Sequence, residues 1–218
     1  MVKKTPRTWL AWKLHRLALK KSPLWRRLRL PGGRLFWVRH RAEGCHYYVF
    51  RVRGRLELLK VLRAQFYEPH RPVGADEARR GAELLNSLAE RGLAPAATWL
   101  DCGAYLVEDA GLPLLPGGLA GPEPLRRFFA ELRAWTLETG LVLLDYNEDN
   151  WCRDPITGAI KLVDVEPAFT CPLAGMAGNE IVRRRLDPAL LAAGEPARLL
   201  EAFLEAELDL LWRHLRQG

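Results

Sequence analysis

No aspartate or glutamate occurs in the first 41 residues, although 13 lysines and arginines do. The 218-residue chain has 33 bases and 26 acids, so the remainder keeps 20 bases against all 26 acids. The chain therefore reads as a mildly acidic body with a basic N-terminal arm. No apolar run approaches the ~20 residues of a bilayer span, which argues against a transmembrane helix. The opening MVKKTPRTWLAWKLHRLALKK carries bases throughout and no small-residue cleavage site, so no secretory signal peptide is expected. The four cysteines, Cys45, Cys102, Cys152 and Cys171, form no Cys-x-x-Cys pair and have no histidine cluster beside them. That pattern supports neither a zinc site nor a disulfide framework, and free thiols in a reducing compartment are expected. No internal repeat is visible. A content of 49% hydrophobic and 27% charged residues is that of a globular chain, long enough for one domain or two small lobes with a buried core.

The arm holds Trp9, Trp12 and Trp25. Leu10, Leu14 and Leu17 recur at i, i+4 and i+7, while Lys13, Arg16 and Lys20 fall on another face. This is amphipathic-helix patterning, and Pro23 ends it near residues 21–22. Three uses compete: lying on an anionic membrane surface, gripping nucleic-acid phosphates, or packing the Leu/Trp face on the body with the bases solvated.

Residues 34–41 (RLFWVRHR), 45–52 (CHYYVFRV) and 56–62 (LELLKVL) read as short strands joined by glycine-containing turns, an antiparallel meander. Residues 67–74 form a proline-containing loop. Asp76 is the expected N-cap of a helix over 77–91 that buries Ala82, Leu85, Leu88 and Ala89, and Gly92 stops it. Short strands are expected at 97–102 and 104–108. Residues 109–124, dense in proline and glycine, read as a connector without an element of its own. A helix over 125–139 follows, with Leu125, Phe128, Phe129, Leu132 and Trp135 at helical spacing. Then come a strand at 141–144, a polar loop at 145–150, and strands at 151–153 and 160–163. The tail from 179 is helical, with Leu200, Leu204, Leu208, Leu211 and Leu215 as its buried stripe.

Chemistry concentrates in residues 141–169, LVLLDYNEDNWCRDPITGAIKLVDVEPAF. An apolar strand leads to Asp145, Asn150 stands five residues on, and Asp164 follows a second apolar strand. A carboxylate and an amide oxygen so placed can hold Mg2+, which prefers oxygen ligands shared with phosphates. Another carboxylate can orient an attacking hydroxyl and take its proton. Phosphoryl transfer needs this trio, because its catalysis is mostly positioning and charge neutralisation. Upstream, Lys60 alternates in facing with Leu59 and Val61, and its charge wants a partner such as a nucleotide phosphate or a helix carboxylate.

This order of elements, with Lys60 on the third strand, Asp145-x-x-x-x-Asn150 and then Asp164, resembles the protein-kinase-like superfamily over residues 34–170 and the helical tail. Within it the chain looks most like small bacterial sugar and lipopolysaccharide-core kinases (Kdo/heptose kinase type). The resemblance implies an α+β, two-lobed fold: the arm at 1–33, a small antiparallel β N-lobe at 34–110 and a short, mainly helical C-lobe at 111–218. It implies an ATP- and Mg2+-dependent kinase acting on a hydroxyl of a sugar or a membrane-associated glycan. Asp145 matches the catalytic Asp, Asn150 and Asp164 match the metal ligands, and Lys60 matches the phosphate-binding Lys. Glu77 is the better placed partner for Lys60, ahead of Glu83. Glu108 falls in YLVEDA (105–110), which resembles the nucleotide-binding hinge. The expected location is cytoplasmic, peripheral on the inner membrane face through the arm, with no nucleic-acid partner.

The chain departs from the family pattern in places. Leu143 stands where the catalytic-loop His would be, the glycine-rich loop is reduced to Gly44, and no Ala-Pro-Glu follows Asp164. The other readings are a kinase-like binding or regulatory module with weak catalysis, and a soluble small-molecule kinase whose arm is simply packed. Residue by residue, 145–150 can also be an ordinary polar turn, Lys60 a surface lysine, and Glu77 a solvated acid favourable to the helix dipole.

Overall fold

A computed structural model describes residues 34–40, 45–52, 55–62, 75–99, 104–108, 110–154 and 156–217. The amphipathic arm at 1–33, Gly44, the loop at 67–74 and the strand extension to Cys102 lie outside them. The protein is mixed α+β, with small antiparallel sheets and several helices. It divides into two compact units, Met1–Arg79 with Thr98–Asp109 and Arg80–Ala97 with Ala110–Gly218. The stretch Arg80–Ala97 thus groups with the second unit, whereas the sequence reading places all of 34–110 together.

In the first unit, β1 (Arg34–His40), β2 (Cys45–Val52) and β3 (Arg55–Leu62) form an antiparallel meander. Their β-branched and aromatic content suits a pleated surface. The β2–β3 register runs from Cys45 opposite Leu62 to Val52 opposite Arg55. The β1–β2 register shifts between Leu35 and Trp37. β4 (Ala97–Trp99) and β5 (Ala104–Glu108) complete a five-stranded sheet in the order β1-β2-β3-β5-β4. Lys60 is opposite Tyr47 on one side and Tyr105 on the other.

Helix α1 spans Ala75–Ala89. Asp76 lies inside its first turn, 3.5 Å from Arg79, rather than capping it. Leu85 and Leu88 are fully buried. Gly92, at φ 72°, turns the chain while the Leu93 N–H donates back to the Leu88 carbonyl at 3.0 Å, the left-handed helix ending that glycine permits. Asn86 then brackets Ala97, donating to its carbonyl at 2.8 Å and accepting from its N–H at 2.7 Å.

The second unit is built on α2 (Glu123–Thr139) and α5 (Pro196–Arg216). The α2 face Leu125, Phe128, Phe129, Leu132 and Trp135 is buried, as its spacing predicts, and Gly140 at φ 71° ends the helix. The Trp135 indole donates to Ser87 Oγ at 2.9 Å, tying α2 to the end of α1. The helical tail is three helices: α3 (Glu180–Arg185), α4 (Pro188–Ala193) and α5. Asn179 and Asp187 cap α3 and α4 by accepting from the backbone two residues on. On α5, Leu200, Leu204, Leu211 and Leu215 are buried as expected, Leu208 is only half-buried, and Leu199, Phe203 and Glu207 complete the interior face.

The segment expected to be irregular contains a strand, β6 (Leu112–Pro113). It pairs with β8 (Trp151–Arg153), which pairs in turn with β9 (Ile160–Leu162). Gly111 makes this docking possible. Its φ is 101°, and a Cβ there would stand 2.3 Å from the Arg153 carbonyl oxygen. Gly111→Ala is therefore expected to cost at least about 2 kcal/mol, from the left-handed backbone and the clash together. The check is a lower urea midpoint with an unchanged slope.

Candidate active site

The loop after β7 (Leu141–Leu143) is held at both ends. At its start the Leu144 N–H donates to the Phe169 carbonyl at 2.9 Å, just before β10 (Thr170–Pro172) pairs with β7. At its end the Val163 N–H donates to the Asn150 carbonyl at 2.8 Å, extending the β8–β9 ladder by one rung. Residues 144–150 and 163–169 are thus two neighbouring loops clasped at their termini. Asp145 and Asn150 lie on one, and Asp164 follows directly after the clasp on the other.

Inside the first loop, Asp145 is half-buried. Its Oδ1 accepts from the Asn147 N–H at 3.2 Å, and its Oδ2 accepts from Asn150 Nδ2 at 3.0 Å. Asn147 Oδ1 in turn accepts from the Asp149 N–H at 3.4 Å, starting the 3-10 turn Glu148–Asn150. These are the local side-chain bonds that make Asp and Asn turn formers. They settle Asn147 as a loop-shaping residue. Asn150 is only 2% exposed, so its amide is a buried polar group oriented by Asp145.

Tyr146 is not part of a polar loop. It is buried, with its ring 5.6 Å from Phe129, 6.3 Å from Trp151 and 6.1 Å from Phe203. The Trp151 indole donates to the Tyr146 carbonyl at 3.3 Å, so an aromatic cluster anchors the loop that carries Asp145. The Tyr146 hydroxyl is buried without a hydrogen-bond partner among the described residues. Burial first, then the negative charges of Glu207 and of an ionised Cys171, hold its pKa well above the usual phenol range, so it remains a neutral donor.

Beside this loop a cavity of about 510 Å3 opens within the second unit. Asp145, Tyr146 and Glu148 line one side, and Arg185, Glu207, Leu210 and His214 come from α3 and α5. Arg185 Nε donates to Glu207 Oε1 at 2.7 Å, and Glu207 is only 5% exposed. Sequence reading missed this set. Glu207 had a visible signal, a carboxylate three residues after Leu204 and four before Leu211 on an apolar helix face. Arg185, 22 residues away, had none.

Asn150 and Asp164 supply an amide oxygen and a carboxylate, the hard oxygen donors Mg2+ takes. Asn150, its amide held by Asp145, and Asp164, directly past the β8–β9 rung, are donors of that type. Among the described residues no group of three His, Cys, Asp or Glu side chains could hold a metal ion by itself. The other expected site residues belong to the first unit: Lys60 on β3, Glu77 in the first turn of α1, and exposed Glu108 at the end of β5, opposite Glu57. Asp145, Asn150 and Asp164 belong to the second.

Comparison with protein-family models and with curated proteins found no match for this chain. Among the described residues no helix is long and apolar enough to cross a membrane.

Proposed function

We propose that this protein is an ATP- and Mg2+-dependent phosphotransferase of two-lobed, protein-kinase-like fold, acting on a hydroxyl of a sugar or a membrane-associated glycan such as a lipopolysaccharide core. The observation that carries the reading is the clasped pair of loops, with Asp145 bonded to buried Asn150 on one and Asp164 on the other. That is the arrangement in which one carboxylate can face an acceptor while an amide and a second carboxylate face phosphates.

In this reading Asp145 orients the acceptor hydroxyl and takes its proton as the oxygen attacks the γ-phosphorus. The new O–P bond forms, the bond from that phosphorus to the β,γ-bridging oxygen breaks, and ADP leaves. Asn150 and Asp164 would hold Mg2+, which supplies charge neutralisation at the phosphates. Lys60, paired with Glu77, contacts the nucleotide phosphates, and Glu108 lies in the segment that meets the base. The basic arm brings the body to an anionic membrane face on the cytoplasmic side, with no nucleic-acid role; pelleting with anionic vesicles tests this. Release of ADP from Mg·ATP, stimulated by sugar acceptors and abolished by EDTA, tests the catalytic reading. A binding module without catalysis would bind nucleotide and release none.

A further inference from the structure

The cavity beside Asp145 has a composition that speaks to the acceptor. A volume of about 510 Å3 is within the ~300–1,000 Å3 range of small-molecule sites. One wall carries Asp145, the proposed base. The opposite wall carries the Arg185–Glu207 pair and His214, and Leu210 and Leu211 give it an apolar strip. Polar groups over an apolar strip suit a sugar ring, whose hydroxyls bond at its edge while its C–H face rests on carbon.

The charges are unequal. Asp145, Glu148 and Glu207 are three carboxylates against one guanidinium, and that guanidinium is already engaged by Glu207. An anionic group beside the reacting hydroxyl would face Asp145 and Glu148, the two carboxylates left once Arg185 offsets Glu207. A neutral hydroxyl or an ammonium would not. Tyr146 also lines this cavity, and its buried hydroxyl has no hydrogen-bond partner among the described residues, an independent polar feature of the wall.

Resting on the kinase reading, we infer that this cavity is the acceptor subsite. It takes a neutral or amino-bearing polyhydroxylated unit, and it rejects one whose carboxylate or phosphate lies next to the reacting hydroxyl. Glu207, held by Arg185, and Tyr146 recognise the acceptor, and Glu148 contributes to the rejection of anions.

The experiment measures binding of glucose, glucosamine, glucuronate and glucose 6-phosphate to the full chain by ligand-detected NMR, beside calorimetric titration of Mg·ATP. Glucose and glucosamine are expected to bind, with glucuronate and glucose 6-phosphate about tenfold weaker or more, the order of one like-charge clash. Tyr146→Phe should weaken glucosamine binding about fivefold with no loss of thermal stability, because it deletes a hydroxyl that has no partner among the described residues. Glu207→Gln should weaken it about tenfold while Mg·ATP affinity stays unchanged. Exposed Glu148→Gln, which removes no packing, should narrow the discrimination against glucuronate about threefold. Equal or tighter binding of the anionic sugars overturns the inference, as does unchanged sugar affinity in both Tyr146→Phe and Glu148→Gln. Binding of Mg·ATP with no sugar bound overturns the acceptor assignment alone. Absence of Mg·ATP binding overturns the kinase reading beneath it.

Discussion

Asp145→Asn is expected to lower turnover by about a hundredfold to ten-thousandfold, the range a positioned general base contributes, with Mg·ATP affinity nearly unchanged. The substitution is mild for the fold. Buried Asn150 Nδ2 needs an acceptor, and an asparagine at 145 still offers one oxygen to it. One bond given up is the exposed 3.2 Å contact from the Asn147 N–H, which water can replace at a cost of about 1 kcal/mol or less. Asp164→Asn should act differently. Removing a metal carboxylate weakens Mg·ATP by about thirtyfold or more, the scale of losing one partner in a desolvated charge contact. Turnover and nucleotide affinity are read separately by single-turnover ADP release and by titration. Equal nucleotide affinity in the two variants would contradict the division of roles, and retained turnover in either would remove it from the site.

Trp151→Ala should give the largest loss of stability. Trp151 is fully buried, its ring 4.8 Å from Phe128 and 5.8 Å from Phe129, and its indole holds the Tyr146 carbonyl. Truncation opens a cavity of most of an indole and costs about 3–5 kcal/mol. It also leaves the carbonyl at the base of the Asp145 loop without its donor. Trp151→Phe keeps much of the packing and should recover more than half of the loss. Urea unfolding of the three proteins checks the order. Because Trp151 directly follows Asn150, turnover of Trp151→Phe well below its melting temperature should still fall, through the position of the loop. Stability loss with wild-type turnover would make Trp151 a core residue only.

Much of this could be read before the structure. Alternation and glycine turns foretold the meander, and the spacing of Leu125, Phe128, Leu132 and Trp135 foretold α2 and its buried face. The order Asp145, Asn150, Asp164 stands out in the sequence because Asp145 and Asp164 each follow a short apolar strand and Asn150 comes five residues after Asp145. What was hidden depended on partners distant in sequence. A two-residue strand inside a run of proline and glycine has no periodicity, so β6 is visible only once β8 is in place beside it. The Asp and Asn on either side of Tyr146 give it the pattern of a polar loop, and the aromatic cluster of Phe129, Trp151 and Phe203 explains its burial. The cavity is legible only in three dimensions, since α3 and α5 bring Arg185, Glu207 and His214 to the Asp145 loop.

The most direct measurement of the central claim is calorimetric titration of ATP into the full chain with Mg2+, with EDTA, and with Asp164→Asn in place of the wild type. The account predicts one site per chain in Mg2+, lost in EDTA and weakened about thirtyfold or more by Asp164→Asn. Absence of binding in Mg2+, or binding indifferent to both the metal and Asp164, would contradict it.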